Sequence, residues 1–468
     1  MAKAGSCSAT SCPATATDRD ATTWSLAMID SPFADLNGLP FYDEPALYIH
    51  LGGMIRGWEF GGWKRESMSW KTGCYIHTGL SGPQFRFQGP DVAMFFASIC
   101  SNSFAKFPIG SMKHGVMCND EGLVATHGIL QRNAEEEYRW FAAGPWPMYQ
   151  LAKTSFNVTP RVIRGYLTQI AGPRALDALE RAAGEDLRDI GFLRFRNTRI
   201  AGKTVEIGRI GMAGNLAFEV RGPIEEGPAV YDAIFKAGRD FGMERLGWRT
   251  YLVNHVEGGF PQQTWTFCAA QWQDPGFLEL NEKHGFRVRP VVSGSVDPAN
   301  LRARQRSPLE LNWQGSVRFD HDFIGRKALE AEAANPRRKT VTLRWNADDV
   351  IDIHASLLRK GEEYKTMDLP TTPTWLHGTL AHADHIRKDG REVGYASGTI
   401  YSYYFREVLS MGVIDIDEAS IGNEVIVQWG DHGRRIKNVR ATVERFPYMQ
   451  EGRNDQIDVT TLSNQAAD

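Results

Sequence analysis

Hydrophobic and polar residues alternate along "CNDEGLVATHGILQR", Cys118 to Arg132, in a pattern that predicts a β-strand. Leu123, Ala125, His127 and Ile129 recur at period two and share one face, so the His127 imidazole is expected to be buried. The turn-rich stretches "NDEG" and "RNAEEE" flank this strand, and "YRWFAAG" follows as another. A second pattern recurs three times: "FRFQGPDVAMFFASIC" from Phe85 to Cys100, "LTQIAGPRALDALERAAG" from Leu167 to Gly184, and "FEVRGPIEEGPAVYDAIFKAG" from Phe218 to Gly238. Each runs from a strand through Gly-Pro into a segment of helical period. The proline is expected in the first helical turn, where its missing N–H is no loss. Strands and helices interleave in this way to about residue 330.

After "AEAANPRRK" the pattern becomes mainly strands, with "TVTLRW", "VGYASGTIYSYYFREVLSMGVID", "EVIVQWG" and "VRATVERF" separated by turns. The chain is therefore predicted as a loose tail over 1–20, an αβ region over 21–334 and a C-terminal β-domain over 335–468, with the boundary near Asn335. A chain of 468 residues is long enough for two or three packed units.

Composition narrows the function. Lys and Arg number 53 against 56 Asp and Glu, a net charge of -3 with no basic block, which excludes nucleic acid as an expected partner. The six cysteines form no Cys-x-x-Cys pair, which suits a reduced, cytoplasmic protein. The first twenty residues lack the apolar core of a secretory signal, and no run of about 18 apolar residues predicts a membrane span. Thirteen Trp, 14 Tyr and 24 Phe are compatible with a pocket for a flat ligand, although such a content is far more often just core packing. A homo-oligomer is left open.

No phosphate loop, dinucleotide fingerprint, nucleophile elbow or zinc spacing is present. "HADH", His382 to His385, offers two imidazoles and Asp384. Its Gly- and charge-rich surroundings predict a solvated loop, and no metal is expected. Glu219 interrupts "NLAFEVRG", where a buried carboxylate needs good donors. Those could be the N–H groups of a pterin-like edge or an internal arginine. "LGWRTYLVNHVEGGFPQQTW" gathers Arg249, Tyr251, Asn254, His255 and Glu257 in one aromatic-flanked stretch, a density that points to a site.

These stretches also carry a resemblance. "GMAGNLAFEVRGP", "GWRTYLVNHVEGG" and "SVRFDHDFIGRKALE", with "VTLRWNADDV", "YKTMDLP" and "SGTIYSYYFREVLSMGVID", resemble the tetrahydrofolate-dependent aromatic O-demethylases acting on vanillate, methylgallate and syringate. That group belongs with the glycine cleavage T-protein and dimethylsulfoniopropionate demethylase. The resemblance implies an α+β, tripartite T-protein-like fold: ferredoxin-like αβ units around a central channel, then a C-terminal β-barrel. It implies that Glu219 grips the pterin, that Gln169 lies beside it, and that Tyr251 sits near the aromatic ring. His255, Glu257 and His77 join these as substrate- or pterin-binding candidates. The chain departs from the family pattern where Ser81 replaces a histidine, with His77 the nearest imidazole. It departs again where Thr126 and His127 replace an aspartate, and where Ala143 replaces an arginine.

Those departures set the mechanistic expectation. A buried histidine can act as a base near neutral pH, and His127 in place of the acid suits removal of a hydroxymethyl proton with release of formaldehyde. The leading expectation is a folate-independent formaldehyde lyase on a lignin-derived phenolic dimer of phenylcoumaran type. His127 is its base, Tyr251 and Arg249 handle the phenolate, and no cofactor is needed. The alternative is a tetrahydrofolate-dependent aryl O-demethylase whose acid role has moved to His127 or Tyr251. A non-catalytic folate-binding regulator is a third reading.

Overall fold

The computed structural model describes residues 47–51, 54–78, 84–141, 144–211, 214–283, 291–372 and 379–462. The N-terminal tail, Ser81 and Ala143 lie outside them. Two sheets and a closed barrel make the framework. The first sheet has six strands, in edge-to-edge order Phe195–Ile200, Lys203–Gly208, Ala217–Pro223, Gly165–Ala171, Cys74–His77 and Met243–Arg245. The second has five: Ser111–Cys118, Val124–Ala134, Glu137–Phe141, Gln84–Gln88 and Thr159–Ile163. The barrel closes six strands in the order Arg338–Trp345, Glu407–Asp415, Arg391–Ser402, Asp384–Lys388, Glu424–Trp429 and Lys437–Glu444.

The first two Gly-Pro sequences act differently from expectation. Gly89 O accepts from Val92 N at 3.2 Å and Gly172 O from Ala175 N at 3.1 Å, so each sequence builds a β-turn just ahead of helices Val92–Ile99 and Ala175–Ala183. Pro90 and Pro173 sit at the second turn position, for which a fixed φ near -65° is suited, rather than within the helix. Gly172 has φ +127°, and a Cβ there would stand 2.5 Å from Gly73 O, so only glycine fits. In the third repeat the strand continues through Pro223, and a 3-10 turn, Ile224–Glu226, precedes helix Gly227–Gly238.

Helices Ala175–Ala183 and Gly227–Gly238 cover one face of the six-stranded sheet. Tyr166, Ile170, Phe218 and Val220 pack there against Leu176, Leu179, Val230 and Ile234. Burying one such side chain contributes roughly 1.5–3 kcal/mol, which fixes the phase of the strands. Because successive side chains alternate, Gln169, Glu219 and Arg221 are forced to the opposite face.

His127 lies in the predicted strand and is buried, but the face it shares is not the one simple alternation gives. Met117 pairs with Thr126 and Cys118 with Val124, leaving Ala125 as an extra residue in a β-bulge. Ala125 consequently packs with Met117 and Leu130 in one cluster, whereas Val124 joins Val116 and Phe267 in another. His127, opposite Val116, belongs to the second group.

A candidate active site between the two sheets

Four residues lie side by side across four strands of the six-stranded sheet: Gly208 pairs with Glu219, Glu219 with Gln169, and Gln169 with His77. Direct cross-strand partners share a face, so this row of polar side chains faces the centre of the molecule. Arg221, one pleat along from Glu219, pairs with its carboxylate. Arg221 also donates to Gln131 Oε1 at 2.9 Å and to Glu206 Oε1 at 3.3 Å. Gln131 Nε2 donates to Glu206 Oε2 at 2.8 Å. Gln131 belongs to the His127 strand, so this network ties the two sheets together face to face. Burial raises the Glu219 pKa, and Arg221 opposes that by favouring the carboxylate. Of the two donors sequence allowed for Glu219, the internal arginine is present.

Helix Trp248–Gly258 lies over the same face. Trp248, Tyr251 and His255 recur at three and four residues and point together. The Tyr251 ring stacks on His77, with centroids 4.2 Å apart and planes at 10°, and contacts His255 at 4.3 Å. His77 Nδ1 lies 2.8 Å from Leu246 O, and His255 Nδ1 lies 2.9 Å from Tyr251 O. A carbonyl only accepts, so each Nδ1 carries the proton and each Nε2 presents a bare lone pair in the neutral ring. Neither Nε2 has a partner among the described residues. Burial lowers the pKa of His77 to about 3 and of His255 to about 4, so both are neutral at pH 7. Gln169 Oε1 accepts from the Tyr75 hydroxyl at 2.8 Å, which leaves its buried Nε2 as a donor with no partner.

The second sheet supplies the opposite wall. His127 is 4% exposed, and its ring lies 4.8 Å from Trp313, 5.8 Å from Phe260 and 6.0 Å from Phe267. Phe260 in turn lies 6.1 Å from His255, joining the walls. His127 Nδ1 is 3.0 Å from His114 Nε2, and His127 Nε2 has no partner among the described residues. Burial, then the neighbouring His114 and His255, lowers the His127 pKa well below its ordinary value. The Tyr251 phenol moves well upward, through burial first and then Tyr75 and Glu219, and keeps its proton at pH 7.

Other predicted site residues are held elsewhere. Arg249 is two positions from Tyr251, about 200° around the helix, and pairs with Glu59 at 2.6 Å while donating to Leu369 O. It faces away from the aromatic cluster. Glu257 accepts from Trp70 Nε1 at 3.0 Å, Lys71 Nζ at 2.8 Å and Ser402 Oγ at 2.5 Å, an anchor between helix Trp63–Thr72 and the barrel. "HADH" is not a solvated loop: His382 and Asp384 are 5% and 0% exposed, because they bond each other at 2.6 Å. Sequence reasoning missed His114, Trp313 and Phe260. Folding the hairpin about "NDEG" would have found His114, which lies thirteen residues before His127 on the paired strand.

The family model of the GCVT N-terminal domain matches residues 41–264. A sesamin methylene transferase of Sinomonas sp. is 37% identical over 431 residues, covering 88% of this chain and 94% of the relative. A syringate O-demethylase of Sphingobium sp. is 28% identical, covering 86% and 91%. Glycine cleavage system aminomethyltransferase T from Bartonella henselae superposes with a TM-score of 0.63 at 16% identity, covering 90% and 98%. The expected α+β T-protein-like fold with its C-terminal barrel is thereby established. The relatives overturn the expectation of a folate-independent formaldehyde lyase without cofactor. They are named for methylene transfer and O-demethylation, within a folate-binding group. The expected departures at Ser81, Thr126, His127 and Ala143 concern a few positions, and they do not outweigh similarity along nearly the whole chain. Among the described residues no helix is long and apolar enough to cross a membrane. This chain belongs to the folate-binding, T-protein-like superfamily of the GCVT domain.

Proposed function

We propose that this protein moves a one-carbon unit from an oxygen-substituted aromatic ring to tetrahydrofolate, in the manner of an aryl O-demethylase. The observation that carries the reading is the cluster of aromatic rings and buried polar atoms between the sheets. There the Nε2 atoms of His77, His127, His255 and Gln169 are buried without partners among the described residues. Such atoms each cost about 1–3 kcal/mol unless a ligand satisfies them.

The residues fit a pterin. A heterocyclic edge offers both acceptors and N–H donors, and the row presents the Gln169 donor beside the Glu219 carboxylate. Gln169 and Glu219 would hold it. When bound, folate supplies the nitrogen that receives the carbon. The chain's own residues do the rest. Tyr251, kept as a phenol and backed by the His77 ring, is placed to give a proton to the departing aryl oxygen. His127, neutral and held through Nδ1 by His114, provides a second polar group on the facing wall. Trp313 and Phe260 exclude water and position a flat ring.

The test is incubation of the purified chain with methoxylated and methylenedioxy arenes, with and without tetrahydrofolate, following the phenol and the one-carbon folate together. Stoichiometric, folate-dependent appearance of both is expected. Turnover of the arene that is indifferent to folate would overturn the proposal, as would folate binding with no product across the panel, the outcome for a regulator.

A further inference from the structure

Beside the barrel, a separate two-stranded sheet carries a second group of polar residues that the folate reaction does not use. Strand Val291–Ser293 runs parallel to strand Thr379–His382 and brings Ser293 beside the "HADH" sequence. Ser293 Oγ lies 3.0 Å from His382 Nδ1, and His382 Nε2 lies 2.6 Å from Asp384 Oδ2. Asp384 is fully buried, and its other oxygen accepts from Ser295 N at 3.0 Å. In the tautomer that suits this pairing, Nε2 donates its proton to the carboxylate as a hydrogen bond. That leaves Nδ1 as the acceptor facing the serine hydroxyl.

An anion position stands beside this relay. Lys365 Nζ is 3.4 Å from the same His382 Nδ1 and 2.6 Å from Asp431 Oδ1. Gly294 N, the residue after Ser293, also donates to Asp431 Oδ1, at 3.1 Å. Gly294 has φ +103°, and a Cβ there would lie 2.0 Å from Ala383 O, so glycine is required to bring this N–H in. Asp431 is half-exposed, and its carboxylate oxygen is held by a backbone N–H and an ammonium next to a serine hydroxyl. That donor pair is the kind that stabilises a developing oxyanion.

We propose that Ser293, His382 and Asp384 form a serine-nucleophile site for carboxylic esters, in which Asp431 occupies the oxyanion position at rest. Ser293 Oγ bonds to the acyl carbon while its proton passes to His382 Nδ1. The carbonyl oxygen, now negative, takes the place of Asp431 Oδ1 between Lys365 and Gly294. The ester C–O bond breaks, the leaving alkoxide takes the proton from His382, and a water deprotonated by the same imidazole releases the carboxylate and regenerates the hydroxyl. This activity is independent of the folate reading.

The experiment treats the full chain with a fluorophosphonate probe, which phosphonylates a serine with loss of fluoride, and maps the adduct by peptide mass. A single adduct on Ser293 is expected, absent from Ser293→Ala and formed about 10²-fold or more slowly by His382→Gln. Asp431→Asn, which weakens the occupant of the anion position, is expected to label faster and to hydrolyse 4-nitrophenyl acetate faster. No adduct on Ser293, or equal labelling of native and His382→Gln chains, overturns the proposal. Should His382→Gln fail to fold, Asp431→Asn decides: faster labelling supports the site, and unchanged or slower labelling removes it.

Discussion

His255 between the two sheets and His382 beside the barrel are both nearly inaccessible, yet they are buried on different terms. His382 has a carboxylate on one nitrogen and a hydroxyl on the other, so the barrel itself meets its needs. His255 donates one proton to a backbone carbonyl and, among the described residues, its other nitrogen has no partner, as is true of one nitrogen each in His77 and His127. The same contrast separates two carboxylates. Glu257 is surrounded by three donors that anchor a helix to the barrel. Glu219 stands in a row that ends at orphaned polar atoms. Glu257, with every partner supplied, reports on how the fold is held, and the groups with partners missing report on what the fold is waiting to bind.

Four measurements would break or sharpen that contrast. Glu257→Gln should be the most damaging, since it leaves Lys71 buried against an uncharged amide. A loss of roughly 3–5 kcal/mol is expected in denaturant unfolding, and a loss below 1 kcal/mol would show that the anchor is not structural. Tyr251→Phe should leave the unfolding midpoint close to native and lower one-carbon transfer by about 10²-fold or more; an unchanged rate removes the phenol from the reaction.

Acid should act chiefly through the channel. His77, His114 and His255 are held neutral in the folded chain, with pKa values near 3, 4 and 4, whereas in the unfolded chain they protonate near 6.5. Their folded values are depressed, so the unfolded state binds more protons between these limits. Stability should be full above about pH 6.5 and fall with acid toward pH 4, by about 1.4 kcal/mol per pH unit per histidine. A flat stability profile across that window would mean the channel rings are already solvated. Smallest of all, His127→Gln should cost about 1 kcal/mol in unfolding free energy, through the weakened contact with His114. It should still slow transfer, and a variant that is both stable and fully active would reduce His127 to wall material.

Much of the framework could be read from the chain because it rests on local rules. Period two placed His127 in a strand, Gly-Pro marked the strand-to-helix junctions, and the late run of strands became the barrel. What was not legible depended on counts of one residue or on distant partners. The bulge at Ala125 inserts a single residue and changes which apolar neighbours His127 joins. Arg249 and Tyr251 are adjacent in text and opposed on the helix. His382 looked solvated because its serine partner lies 89 residues away. The reaction was not legible for a related reason: a few departures from the family pattern weighed less than the similarity of the remainder.

The row from Gly208 through Glu219 and Gln169 to His77 has a further consequence for quality control. Each strand contributes one member, and a slip of one residue in the Glu219 strand would turn Glu219 to the helix-covered side and bring Phe218 or Val220 to the polar face. A mispaired sheet could not keep a partly working site. Ligand affinity is thus an assay of folding fidelity, and bound ligand would favour the correctly registered chain over its near misses by mass action.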